Sequence, residues 1–183
     1  MKSQIPGPNP SARRPTALEL PPGACDAHCH IFGPAERFPF APDRAYTPPD
    51  APVERFVDLQ KRLGLSRAVF VQASCHGTDN AAMLDALQRY PGRFAGVAMI
   101  DDDTADEELA DLHAAGVRAT RFNFVAHLGG APDLDQFWRA VARVRPFGWH
   151  IVLHFDARDV PLYRPLLDAM PVPFVIEIGR AHV

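Results

Sequence analysis

The string Asp26-Ala27-His28-Cys29-His30 closes a short apolar run and carries two histidines one residue apart. Alternate residues of a β-strand face the same side, so the two imidazoles are expected on one surface. At the C-terminal mouth of a barrel strand such a pair suits either a divalent metal or the polarisation of a carbonyl by hydrogen bonding. The same string offers the ligand types of a zinc finger, but alternation turns Cys25 and Cys29 away from His28 and His30, and no finger is expected. Other polar residues fall near later strand ends: Ser74 and His76, then Arg121 and Asn123, then His154. Arg121 reads as an anion clamp, because a charge facing a barrel interior must be matched. No G-x-S-x-G elbow surrounds Ser74, which leaves it a hydrogen-bond donor. His76 reads equally well as a loop residue. The run Asp101-Asp102-Asp103 precedes a helix start and reads as a solvated turn rather than a metal site.

The elements that would position these residues alternate regularly. After the first strand, residues 31 to 52 form a Pro-rich loop with Phe32, Phe38, Phe40 and Tyr46, too apolar for a solvated linker and of a length usually kept for function. Phe56, Leu59 and Leu63 have helical spacing with Gly64 as a stop, and Ala68 to Val71 is a buried strand. A helix over Thr78 to Tyr90 and a strand over Phe94 to Ile100 follow. Thr104 and Glu107 form a capping box for the next helix, and Gly116 ends it before the strand Val117 to Phe124. Asp133 with Gln136 starts a helix through Phe137, Val141 and Val144. Trp149 to Phe155 is a fifth strand, Tyr163, Leu166 and Met170 mark a fifth helix, and Val172 to Ile176 begins a sixth strand. This alternation implies an α/β fold with a parallel sheet, either open and doubly wound or a (β/α)8 TIM-type barrel. No Gly-rich phosphate turn follows the first strand, which favours the barrel. It is incomplete, with five βα units and a sixth strand against the eight strands of a closed one.

At this point the residues carry a resemblance. Asp26 to Pro34, Arg44-Ala45-Tyr46-Thr47-Pro48, Gln72-Ala73-Ser74, Arg121-Phe122-Asn123-Phe124-Val125 and Leu153-His154 together resemble the amidohydrolase-related barrel family, and within it the pyrone dicarboxylate hydrolases and related lactonases. The resemblance implies hydrolysis of a lactone or related ester of a small carboxylic acid, with water as nucleophile. It places His28, His30 and His154 around the scissile carbonyl. Tyr46, Ser74 and Arg121, with Asn123 and His127 nearby, hold the substrate, and an Asp of an eighth strand serves as base. It also implies either no cofactor, as in pyrone hydrolases, or one divalent metal, zinc or manganese, on His28, His30 and His154. The pyrone hydrolase pattern has a second Arg shortly after R-F-N-F-V, where this chain has Ala126-His127. His127 is a poorer, pH-dependent anion clamp, so a monocarboxylate or sugar-acid lactone stands beside a pyrone dicarboxylate as substrate.

Composition bounds the remaining classes. The 183 residues are 47% hydrophobic with a net charge of −3, and no Lys/Arg cluster interleaves with aromatics, so small molecules rather than nucleic acid are the expected partners. No run reaches the roughly 18 apolar residues of a membrane span, and three cysteines outside any C-x-x-C pattern suit a reduced, cytoplasmic setting. The sequence assigns no oligomeric state. Residues 1–23 read as an extended arm and 24–176 as the partial barrel. Residues 177–183 read as a non-native tail, because Glu177 to Val183 is what a common sequencing-library adapter would encode. His182 is accordingly not counted. Two alternatives accompany the lactonase reading: a metal-dependent decarboxylase of the same superfamily, and an inactive fragment or small-carboxylate binder.

Overall fold

A computed structural model describes residues 3–4, 18–128 and 130–178. The chain divides into two compact units, Met1–Gly96 and Val97–Val183. In the first, β1 (Cys25–Cys29) is followed by α1 (Val53–Leu63), β2 (Arg67–Val71), α2 (Ala81–Arg89) and the start of β3 (Phe94–Ala98), the strand that crosses the division. In the second, α3 (Asp106–Ala115), β4 (Val117–Asn123), α4 (Leu134–Val144), β5 (His150–Phe155), α5 (Val160–Asp168) and β6 (Phe174–Ile178) keep the alternation.

In the first unit β1 pairs in parallel with β2, Cys25 opposite Arg67 and Asp26 opposite Ala68, and the register then shifts so that Cys29 meets Phe70. Parallel neighbours need a long crossover, and α1 supplies it. Gly64 stops α1 in the left-handed conformation at φ 79°, its N–H reaching Gln60 O at 2.9 Å. The core between strands and helices holds Val53, Val57, Phe70, Met83 and Leu87, with the Phe70 ring edge-on to Phe56 at 5.1 Å and tilted against Phe94 at 4.6 Å between centroids. Gln60 is buried here with both amide ends used: Nε2 donates to Arg67 O at 2.9 Å and Oε1 accepts from Arg93 Nη2 at 2.8 Å.

In the second unit β4 and β5 are parallel from Ala119 opposite His150 to Asn123 opposite His154, and β5 and β6 from Ile151 opposite Phe174 to Phe155 opposite Ile178. Leu109, Leu112, Phe137, Val141, Val144, Trp149 and Leu153 fill the space between strands and helices. Trp149 Nε1 donates to His113 Nδ1 at 3.0 Å, satisfying a buried indole. Asp133 caps α4 as expected, its Oδ1 accepting the Gln136 N–H at 2.8 Å.

The structure corrects several expectations. Thr104 does not cap α3: that helix starts at Asp106 with Ala105 at its N-cap. Thr104 Oγ1 instead accepts from Asp101 N–H and donates to Asp101 Oδ1, because the Asp101 side chain organises the preceding turn and draws the hydroxyl into it. The second helix begins at Ala81 rather than Thr78, and the fifth ends at Asp168, before Met170. The sixth strand starts at Phe174 rather than Val172 and runs to Ile178. Ser3–Gln4, within the arm, pairs in parallel with Tyr46–Thr47. His182 and the rest of 179–183 lie outside the described residues. Among the described residues no helix is long and apolar enough to cross a membrane.

The loop after β1 is anchored at its base. Phe32 N–H donates to Ala51 O at 3.1 Å and Ala51 N–H to Phe32 O at 2.7 Å, closing the ring of residues between them. At its start Gly33 sits at φ 62°, and a Cβ there would meet the Asp50 carboxylate and the Ala35 nitrogen. Gly33→Ala is therefore expected to lower stability by about 1–3 kcal/mol in urea unfolding. Burial lowers the pKa of both His76 and His150 from the usual 6.5. The folded state then binds fewer protons than the unfolded chain just below that value. This contribution is complete above about pH 6.5 and is lost as the pH falls toward the lowered folded values. Thermal melts between pH 8 and 5 should show this loss, and replacing both histidines by Gln should flatten it.

Candidate active site

Each unit gathers part of the expected set. In the first, His28 and His30 come together as alternation requires, their rings 5.0 Å apart and nearly perpendicular. The register shift in β1 leaves His30 just past the strand end, where Nδ1 lies 2.8 Å from Val71 O. A carbonyl only accepts, so Nδ1 donates and the neutral ring of His30 carries its lone pair on Nε2. Asp26 Oδ1 accepts the His28 N–H at 3.1 Å, which fixes the backbone leading into His28. Cys29 points elsewhere, its thiol donating to Val69 O at 3.4 Å. Burial, followed by the neighbouring Asp26 and Cys25, pushes that thiol far up, so it is no nucleophile. His30 also opens on a groove of about 600 Å3 lined by Asp26, Cys29, Phe32, Arg55 and Phe56.

Tyr46 and Ser74 belong to the same unit. Ser74 opens the single 3-10 turn Ser74–His76 after β2, and the Tyr46 hydroxyl bonds the thiol of the next residue, Cys75. Nothing in the sequence pointed to Cys75 as the seat for Tyr46, since a lone buried cysteine looks like any small apolar residue.

In the second unit Arg121, Asn123 and His154 form one hydrogen-bonded group, placed by the β4–β5 register that sets Asn123 opposite His154. Arg121 Nη2 lies 3.0 Å from His154 Nδ1 and 3.0 Å from Glu177 Oε2, and Asn123 Oδ1 lies 3.1 Å from the same Nδ1. A guanidinium can only donate. His154 Nδ1 must therefore be an acceptor, which puts the ring proton of the neutral imidazole on Nε2. The amide of Asn123 then turns Nδ2 toward the ring, since oxygen and nitrogen of an amide exchange places by rotation. Arg121 is 7% exposed, and Glu177 supplies the counter-charge that a buried cation requires. Glu177 is not among the residues that the sequence pattern singles out. Arg121 Nε, buried, makes no hydrogen bond among the described residues. His127 falls in the turn Ala126–Leu128, and its side chain lies outside the described residues.

These tautomers bear on metal binding. A metal on His154 Nε2 would need the ring proton on Nδ1, facing the guanidinium. Among the described residues no three His, Cys, Asp or Glu side chains are grouped to hold a metal ion. In this tautomer His154 does not fit a metal held on its Nε2.

An α/β fold with paired histidines at its first strand end and a buried Arg–His group at later ones has the layout of a barrel hydrolase. The family comparison is direct: residues 25–180 match the amidohydrolase model, and the chain belongs to that family. It is 45% identical over 167 residues to the 2-pyrone-4,6-dicarboxylate hydrolase of Comamonas testosteroni, covering 91% of this chain and 55% of that one. It is 35% identical to the 4-sulfomuconolactone hydrolase of Hydrogenophaga intermedia, covering 92% and 56%. A solved structure from Acinetobacter baumannii, assigned as a 2-pyrone-4,6-dicarboxylic acid hydrolase with citric acid bound, superposes with a TM-score of 0.73 at 28% identity, covering 84% of this chain and 57% of that one. The chain thus spans about half the length of the curated relatives it matches, and its fold is the incomplete barrel that the alternation implied.

The tautomers are directly measurable. In 15N spectra of histidine-labelled protein at neutral pH, His154 is expected protonated on Nε2 and His30 on Nδ1, and Arg121→Met should release the constraint on His154 alone. A His154 proton on Nδ1 in the unaltered protein would refute the arrangement.

Proposed function

We propose that this chain supplies part of the active site of a lactone hydrolase acting on a small carboxylated lactone. The observation that carries the reading is the Arg121–Asn123–His154 group: a neutral imidazole held with Nε2–H as donor, next to a buried cation. That is the equipment for polarising a carbonyl and stabilising the oxyanion that forms when water adds to it. His30 has the opposite tautomer. Its neutral Nε2 is an acceptor, suited to orienting the attacking water, while His28 is the second imidazole of the pair. The resemblance assigns the base itself to an Asp of an eighth strand, outside the sequence in hand. Tyr46, Ser74 and Arg121 are the residues proposed to hold the substrate carboxylate.

The names of the relatives support a carboxylated or sulfonated lactone, and citric acid in the Acinetobacter baumannii protein supports a site for carboxylates. His127, where the pyrone hydrolase pattern has Arg, favours a monocarboxylate or sugar-acid lactone over a dicarboxylate. Three free thiols at Cys25, Cys29 and Cys75 support a reducing, cytoplasmic setting.

The test is ring opening of a panel of carboxylated lactones by the complete gene product, with CO2 release measured in parallel. Ring opening without CO2 supports the hydrolase. CO2 release supports the decarboxylase, and binding without turnover supports a carboxylate-binding protein. In the hydrolase His154→Ala is expected to lower kcat by about a hundredfold, the usual loss for an oxyanion donor. An unchanged kcat would remove His154 from the chemistry.

A further inference from the structure

His76 takes no part in the chemistry above, yet it is among the most buried polar residues, at 3% exposure. Its Nδ1 lies 3.1 Å from Pro39 O, so Nδ1 donates. Its ring packs on Phe40 at 4.7 Å between centroids. Its Nε2 is buried and makes no hydrogen bond among the described residues. The adjoining residue completes the junction: Ala41 N–H donates to Cys75 O at 2.8 Å, and the Tyr46 hydroxyl bonds the Cys75 thiol. Burial pushes that thiol up to about 11, so it meets Tyr46 as a neutral group. On the loop side Arg44 braces the same segment, Nη1 donating to Ala41 O at 2.8 Å and Nε to Thr47 Oγ1 at 2.9 Å. The stretch Pro39–Thr47 is thus pinned to the turn Ser74–His76 at three consecutive points. The loop carries Tyr46 and the turn carries Ser74.

We infer that His76 is a positioning residue for substrate binding: as a neutral imidazole it latches the loop 39–47 to the 74–76 turn, holding Tyr46 in place beside Ser74, and protonation loosens the latch. The inference rests on the proposed role of Tyr46 and Ser74 in holding a carboxylate. The chemistry is specific to imidazole. One edge donates to Pro39 while the face packs on Phe40, and a second ring proton would enter a buried site with no acceptor. Burial already lowers the His76 pKa. The Pro39 carbonyl and the Asp79 carboxylate oppose that effect, and the Arg44 guanidinium, 5.6 Å from the Phe40 ring, adds like charge on the loop side. An Asn at this position offers an amide N–H in place of Nδ1–H and cannot take up a proton. Phe keeps the ring and loses the donor.

The test has a structural and a functional arm, both on the complete gene product. Hydrogen exchange at pH 7.5 is expected to show the Ala41 amide exchanging roughly 3- to 10-fold faster in His76→Phe than in the unaltered protein, the usual worth of one hydrogen bond, with His76→Asn restoring protection. As the pH falls from 6.5 through the lowered pKa of His76, the unaltered protein should lose protection at Ala41 while His76→Asn does not. In turnover, His76→Phe should raise KM for a carboxylated lactone by a similar factor with kcat within about twofold. For His76→Asn, KM should lose its acid-side rise. Unchanged Ala41 exchange in His76→Phe, or a fall in kcat at constant KM, would overturn the inference. If the unaltered protein opens no lactone, the proposed function fails while the exchange arm still decides the latch.

Discussion

The contact of the Arg121 guanidinium with His154 Nδ1 constrains more of the site than any other interaction, because one partner has no lone pair to offer. It fixes which ring nitrogen of His154 holds the proton, turns the Asn123 amide, and requires a carboxylate, Glu177, on the far side of the cation. The contact exists only because β4 and β5 pair in parallel with Asn123 opposite His154. A slip of one residue between these strands would turn one of the two side chains to the other face.

The first unit reaches a complementary result by a different route. His30 Nδ1 is committed to the Val71 carbonyl, so its neutral ring presents a lone pair where His154 presents a proton. The register shift in β1 carries His30 past the last paired residue and lets its ring reach the end of β2. Two histidines that look equivalent in the sequence are thereby given opposite hydrogen-bonding roles by the backbone and side-chain groups around them.

The loop from residue 31 to 52 follows the first of these strands. It is closed at its base by the Phe32–Ala51 bridge and held midway on the Ser74–His76 turn. Pinning of this kind lets a long apolar loop serve as a wall of a site, since its backbone groups find partners and the ordering cost is met by burial. Tyr46 gains a defined position from Cys75 and Thr47 from Arg44, neither of which is itself a candidate for chemistry.

The sequence by itself determined the alternation of strands and helices, the stops at Gly64 and Gly116, the Asp133 cap and the pairing of His28 with His30, because each depends on neighbours a few residues away. It also identified Arg121, Asn123 and His154 as strand-end polar residues, since the strand periods are legible in Val117 to Asn123 and His150 to Phe155. Only tertiary structure decided the tautomers of His30 and His154, which are set by a carbonyl 41 residues away and by a guanidinium 33 residues away. Tertiary structure likewise drew Thr104 into a turn instead of a cap, seated Tyr46 on Cys75, and buried His76 against Pro39 and Phe40. Local pattern encodes which face a side chain takes. Which proton it carries, and what it holds, depends on groups that meet only after the chain has folded.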